Sequence, residues 1–159
     1  MEKPDHRGLN PPSIFLAALV LTVTISVVLP SGAMGGWLLD LLGVALIIAG
    51  IGLNVRGSGQ FERAGTPVRP GSRGGALVTD GVFSFSRNPM YLGMVAILLG
   101  VAIGLGSTWA LLAPSMFMGL IQTRFIRMEE RILEEEFGAA YVAYRKRVGR
   151  WIGRGAWAL

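Results

Sequence analysis

"SRNPMYLGMVAILLGVAIGLGSTWALLAPSMFMGLIQTRFIRMEE", residues 86–130, decides the fold. It holds two apolar runs, 90–106 and 108–126, and no charged residue stands between Arg87 and Arg124. Each run is close to the ~20 residues that cross a hydrocarbon core, the first being somewhat short. Backbone N–H and C=O groups find no water in lipid, so both runs must be helices. The join at 105–107 is small and uncharged, which makes the two helices a tight hairpin with neighbouring polar ends. Pro89 suits the first turn of a helix, where its missing N–H would have no partner anyway. The hairpin therefore brings Arg87, Asn88 and Tyr91 beside the carboxylate pair Glu129–Glu130.

Two further apolar segments precede the hairpin, at 12–29 and 36–55, the second interrupted only by Asp40. The first is too long for the apolar core of a signal peptide and lacks a clean small-residue cleavage site, so it too reads as a span. Hydrophobic residues make up 52% of the 159, and Gly 23 is high, as in membrane helices. The expected architecture is a single all-α integral membrane domain. It has four transmembrane helices, a cytoplasmic loop at 55–89 and a C-terminal amphipathic helix at about 128–148.

Charge sets the orientation. All fifteen basic residues fall in 1–13, 55–89 and 124–159, and nine of the ten acidic residues join them there. The positive-inside rule places these islands, with both termini, in the cytoplasm. For a bacterial chain this means the cell inner membrane. The short joins at 31–35 and 105–107 then face outward. Trp37 and Trp109 flank those joins and Trp151 lies on the basic side, as an aromatic belt requires. Asp40 stands within one turn of the outer surface and reads as solvated. Small residues at Ala45 and Ala49, and at Ala96, Gly100 and Gly104, make ridges for helix packing.

The tail, "RMEERILEEEFGAAYVAYRKRVGRW", repeats Glu129, Leu133, Phe137 and Tyr141 at intervals of four, with Tyr144 near that face. This is an amphipathic pattern. A helix lying on the membrane explains it except for the carboxylate on the apolar face, which is costly there unless paired or solvated. Loop 55–89 is long enough to be functional. Together the loop and the tail enclose a pocket at the membrane surface, with polar groups above and lipid below.

Several chemistries are excluded. The chain has no cysteine, which removes disulfides, thiolate metal sites and a cysteine nucleophile. His6 is the single histidine and lies in the polar N-terminal arm, so no metal site or histidine triad is expected. The net charge of +5 serves orientation beside lipid, and nucleic acid is not an expected partner. No G-x-G-x-x-G follows a strand, so a soluble nucleotide-binding fold does not apply.

The run "ALVTDGVFSFSRNPMYLG", followed after the hairpin by "EERILEEEFGAAYVAYRKRV", resembles the isoprenylcysteine carboxyl methyltransferase family, its bacterial relatives in particular. Phospholipid N-methyltransferases share a related plan. The resemblance spans roughly residues 60–152, while the first two spans agree in hydropathy alone. It implies an integral membrane enzyme that uses S-adenosyl-L-methionine, held in a cytoplasmic pocket between loop and tail. It also implies membrane lipid and a lipophilic substrate as partners.

Carried over by position, the family's cofactor segment falls on Gly75, Ala76, Leu77 and Val78, and its following aromatic on Phe83. The Arg-His-Pro-x-Tyr motif falls on Arg87, Asn88, Pro89, Met90 and Tyr91. The tail carboxylate falls on Glu129, with Glu130 its neighbour. A substrate-binding arginine has Arg124 as its nearest match, one position out of register. Asn88 stands where the family has histidine, so proton transfer is lost there and hydrogen bonding is kept. The rival readings are a non-catalytic scaffold or degenerate relative that keeps the pocket, and a transporter, which would need polar groups at the bilayer midplane. The methyl acceptor, its S, O or N nucleophile and the oligomeric state are not legible in the sequence.

Overall fold

The computed structural model describes residues 10–29, 35–67 and 75–153. The N-terminal arm, the join at 31–34, and Arg69 and Arg73 lie outside the described residues. Among those described, every regular element is helical. The first helix, α1, spans Pro11–Val28. Asn10 caps it, its Oδ1 accepting from the Ser13 backbone N–H at 3.0 Å, and prolines occupy its first positions. Inside α1, Thr22 and Ser26 donate to the carbonyls of Ala18 and Thr22 at 2.7 and 2.9 Å, so neither buried hydroxyl is left unpaired.

Helix α2 spans Trp37–Arg63 and α3 spans Pro89–Gly104. The chain then turns into a short 3-10 segment at Trp109–Leu111, helix α4 at Leu112–Ile121 and a π-helical turn at Gln122–Ile126. Helix α5 follows at Arg127–Phe137 without a break in helical backbone. Ser107 at the α3–α4 join donates to the Leu29 carbonyl, which brings the end of α1 to the same end of the bundle.

Two helices, α1 and α2, are long and apolar enough to cross a membrane, and α3 is a shorter apolar helix. Their apolar side chains face outward to an extent water would not tolerate. Trp37 is 73% exposed and Val27 72%, and Leu16, Val20, Leu41, Ile48, Trp109 and Met116 are exposed with them. Exposed apolar surface on this scale marks a membrane surface. The chain is a membrane protein.

The α2–α3 pair is the tightest contact in the fold, and glycine makes it so. Gly43, Gly50 and Gly57 recur every seven residues on α2 and are buried. A Cβ on Gly43 would lie 2.8 Å from the Gly100 carbonyl, and one on Gly93 would lie 2.6 Å from the Gly50 carbonyl. Backbone thus meets backbone, as small residues permit in lipid. Gly100 and Gly104 belong to this seam as expected. Ala45 and Ala49 do not: both are exposed, and the α2 ridge is built on glycine at intervals of seven instead.

Two other expectations need correction. Helix α2 does not stop at residue 55 but continues to Arg63, because Arg56 and the residues after it leave the apolar stretch without breaking the helix. The connection to α3 is correspondingly shorter. The tail is not one amphipathic helix over 128–148. Gly138 takes φ +49 and ψ −121, a conformation open to glycine and not to a helix, and divides α5 from α6, Ala139–Arg147.

Candidate functional site

Polar side chains converge at the end of the bundle where α2 ends, α3 begins and the π-turn hands over to α5. Pro89 starts α3 and holds Tyr91 in its first turn. The Tyr91 hydroxyl donates to Glu129 Oε1 at 2.8 Å, across 38 residues of chain. The hairpin thus joins the two motifs as its geometry requires. Glu129 has no cationic partner among the described residues. Desolvation pushes its carboxyl above the usual carboxylate range; the Tyr91 hydrogen bond opposes the rise and the charge of Glu130 adds to it.

Glu130 is used differently. Arg150 grips it as a fork, Nε to Oε1 at 2.8 Å and Nη2 to Oε2 at 2.7 Å. Arg87 Nη1 lies 3.0 Å from Oε1 and also donates to the Tyr141 hydroxyl at 2.8 Å. The Arg87 side chain keeps 5% of its surface, and its Nε–H is buried without a partner among the described residues. A buried donor left unsatisfied costs about 1–3 kcal/mol, which makes it a feature to explain. The bonds from Glu130 raise Arg150 further above its already high range.

These groups surround a cavity of about 70 Å³ lined by Phe61, Arg87, Asn88, Glu129, Glu130, Leu133, Tyr141 and Tyr144. Phe61 reaches it because α2 continues past the apolar stretch, and its ring stacks on Phe83 at 4.9 Å. Tyr144 donates to the Phe83 carbonyl at 2.7 Å, fixing the short 3-10 turn at Gly81–Ser84 against α6. Burial raises the hydroxyl pKa of both Tyr141 and Tyr144, so each is a neutral donor at physiological pH.

Among the residues singled out from sequence, Arg87, Asn88, Glu129 and Glu130 line the cavity, and Tyr91 and Phe83 bond to or stack on its walls. Asn88 does not cap α3 with its side chain. Its Nδ2 donates instead to the Arg150 carbonyl at 2.9 Å. Pro89 and Met90 face Gly57 on α2. Gly75, Ala76, Leu77 and Val78 stand outside the cavity wall. The Thr66 hydroxyl brackets Ala76, donating to its carbonyl and accepting from its N–H. Leu77 packs on the buried cluster of Tyr141, Tyr144 and Val148. Arg124 is exposed within the π-turn and does not face the cavity.

Phe61, Leu133, Tyr141, Tyr144 and Arg150 carry parts of the site that the motifs did not point to. For Leu133 and Tyr141 the four-residue repeat with Glu129 was a visible signal. Nothing in the sequence singled out Arg150.

The family model for phospholipid methyltransferases matches residues 39–140, more than half of the chain. The chain belongs to the phospholipid methyltransferase family. As a member of that family it also resembles enzymes named protein-S-isoprenylcysteine O-methyltransferase. That of Schizosaccharomyces pombe is 36% identical over 72 residues, covering 45% of this chain and 30% of the relative. That of Saccharomyces cerevisiae is 36% identical over 73 residues, covering 46% and 30%. The chain therefore matches about three tenths of each yeast protein's length. An uncharacterized protein of Haemophilus influenzae is 38% identical over 63 residues, 40% of this chain and all of that one. No solved structure matches. The phospholipid methyltransferase match begins inside α2, earlier than the motifs suggested. It takes in Arg87, Tyr91, Glu129 and Glu130, and ends before Tyr141 and Arg150.

Proposed function

We propose that the chain is an integral membrane methyltransferase that takes its methyl group from S-adenosyl-L-methionine. In this reading it delivers the methyl to a lipophilic small molecule or lipid at the cytoplasmic face of the cell inner membrane. The chain crosses the membrane four times, with both termini in the cytoplasm. Support for the topology comes from the exposed apolar belt and from the gathering of charge at one end of the bundle.

The observation that carries the reading is the pairing of unlike groups around one cavity. Among the described residues, Glu129 offers a carboxylate without a cationic partner, and Arg87 offers a buried N–H without an acceptor. A ligand bearing both an ammonium and a carboxylate, as an amino-acid moiety does, satisfies both. The chemistry such a donor supplies when bound is an electrophilic methyl on a sulfonium, open to in-line displacement. Glu129 binds the ammonium, Arg87 takes the carboxylate, and the stacked Phe61–Phe83 pair offers aromatic faces to positive charge, worth ~0.5–2 kcal/mol. Helices α5 and α6 cover the site and keep water out, which strengthens these interactions. Exposed Arg124, at the end of the fourth span, meets the polar head of the acceptor. Holding the reactants aligned contributes roughly 7–11 kcal/mol of such a barrier.

The donor chemistry fits these residues, and the closed volume does not. A ligand of this size needs ~300–1,000 Å³, against about 70 Å³ here. Binding therefore requires the cavity to widen between α5 and α6, with Gly138, which divides them, the point of articulation. Calorimetry of S-adenosylhomocysteine with the purified protein tests the reading. Saturable binding that adenosine alone does not reproduce is expected; no binding at millimolar ligand rejects it.

A further inference from the structure

The turn after α6 has no part in the motifs, yet it is built with care. Gly149 N–H donates to the Gly153 carbonyl at 2.6 Å, closing a loop that Gly153 makes possible with φ +89. The loop is stapled to the turn before α3. Arg87 N–H donates to the Gly149 carbonyl at 3.0 Å, Gly153 N–H to the Phe85 carbonyl at 3.2 Å, and Asn88 Nδ2 to the Arg150 carbonyl. Trp151 Nε1 donates to Gln122 Oε1 at 2.8 Å, at the first residue of the π-turn. Both Val148 and Gly149 are buried. Five hydrogen bonds thus fix the turn that holds the Arg150 guanidinium as a fork on Glu130.

This placement solves a problem of identity. Glu129 and Glu130 are adjacent and both line the cavity, so an ammonium has two carboxylates to choose from. Glu130 Oε1 already accepts from Arg150 and is ion-paired with Arg87, and its Oε2 accepts from Arg150. Glu129 accepts one neutral hydroxyl bond. The forked geometry needs a planar guanidinium, which a lysine cannot supply.

We propose that Arg150 is a positioning residue: by occupying Glu130 from the stapled C-terminal turn, it leaves Glu129 as the carboxylate that receives the cationic end of the methyl donor. The inference rests on the functional reading above. It adds residues 148–153 to the working site, beyond the part of the chain that the family match covers.

The consequences separate this role from a merely structural one. The groups facing Glu129 are Tyr91 from α3, Arg87 from the turn before it, Tyr141 and Tyr144 from α6, neighbouring Glu130, and Arg150 acting through Glu130. Without Arg150, Glu130 keeps one cation instead of two. The two carboxylates then repel more strongly and hold a shared proton to higher pH. The pH midpoint for binding S-adenosylhomocysteine moves upward in Arg150→Met. Turnover falls about tenfold, because the ammonium now has a second seat, and the donor KM at high pH falls with it, leaving kcat/KM little changed. Arg150→Lys lies between.

The test is calorimetric titration of S-adenosylhomocysteine at a series of pH values, on wild type, R150M, E130Q and the double variant E130Q/R150M. An upward midpoint in R150M, with E130Q and E130Q/R150M sharing one midpoint, is the expected result. An unshifted midpoint in R150M overturns the proposal. If R150M does not fold, a difference in midpoint between E130Q and the double variant overturns it as well, since Arg150 would then act by another route. A wild type that binds no donor at any pH rejects the functional reading instead, and the two failures are distinct.

Discussion

Replacing Glu129 with glutamine separates binding from stability. Glutamine keeps an acceptor oxygen for the Tyr91 hydroxyl, which now lies 2.8 Å from Oε1, and removes the charge. A hydrogen bond to a charged group contributes about 1.5–3 kcal/mol. Loss of that term from the ammonium contact weakens binding of S-adenosylhomocysteine by roughly 10- to 150-fold at neutral pH. Stability of the free protein should move the other way. The native carboxyl has its pKa raised by desolvation, so the folded chain holds the proton more tightly than the unfolded chain does. Wild-type stability is therefore greatest below the ordinary carboxylate pKa and declines as pH rises from there to the raised native value; above it the full cost remains. Glu129→Gln has no such decline, and at neutral pH its unliganded form melts at or above the wild-type temperature. Calorimetry and thermal melts in detergent across pH 4–8 give both quantities. Unchanged affinity, or a variant that is unstable at every pH, would refute the reasoning.

Other substitutions probe the frame around the site. Gly93→Ala drives a methyl into the Gly50 carbonyl and Leu53, costing about 1–3 kcal/mol. Gly52→Ala meets nothing within 4 Å and stabilises α2 by up to ~1 kcal/mol, so their melting temperatures diverge. Tyr91→Phe removes the one hydrogen bond that lowers the Glu129 pKa. The pH midpoint of donor binding therefore rises, readable by the same titration, while the ring packing is kept. Gly138→Ala forces a residue with a Cβ to φ +49. A loss of about 1–3 kcal/mol in the melt is expected, together with slower donor association in stopped-flow measurements if this joint opens the site.

The hairpin, its polar ends and the meeting of Tyr91 with Glu129 were legible because they follow from length and lipid. Two apolar runs with a three-residue join have few ways to fold. The extent of α2 was not legible from hydropathy, which registers where lipid ends and not where a helix does. Phe61, six residues past the second apolar stretch, reached the site unnoticed for that reason. Gly138 carried a readable signal, since a glycine after Phe137 marks a helix end, but the four-residue repeat across it from Leu133 to Tyr141 suggested continuity. The repeat survives across the break because Leu133 and Tyr141 pack together and line the same cavity. The glycine seam at 43, 50 and 57 has a period of seven, whereas the four-residue spacing of small residues points to Ala45 and Ala49, which are exposed. Which glutamate is paired and which is left open depends on Arg150, and no local pattern reveals a partner 20 residues away.

Methyl transfer itself tests the central claim most directly. Purified protein in liposomes is incubated with methyl-labelled S-adenosyl-L-methionine and a membrane lipid extract, and the label is followed into the organic phase. Label in a lipid-soluble product with wild type, and at least tenfold less with Glu129→Gln, is the predicted result. Donor bound without any transfer to the extract, or equal transfer by the two proteins, would contradict the account.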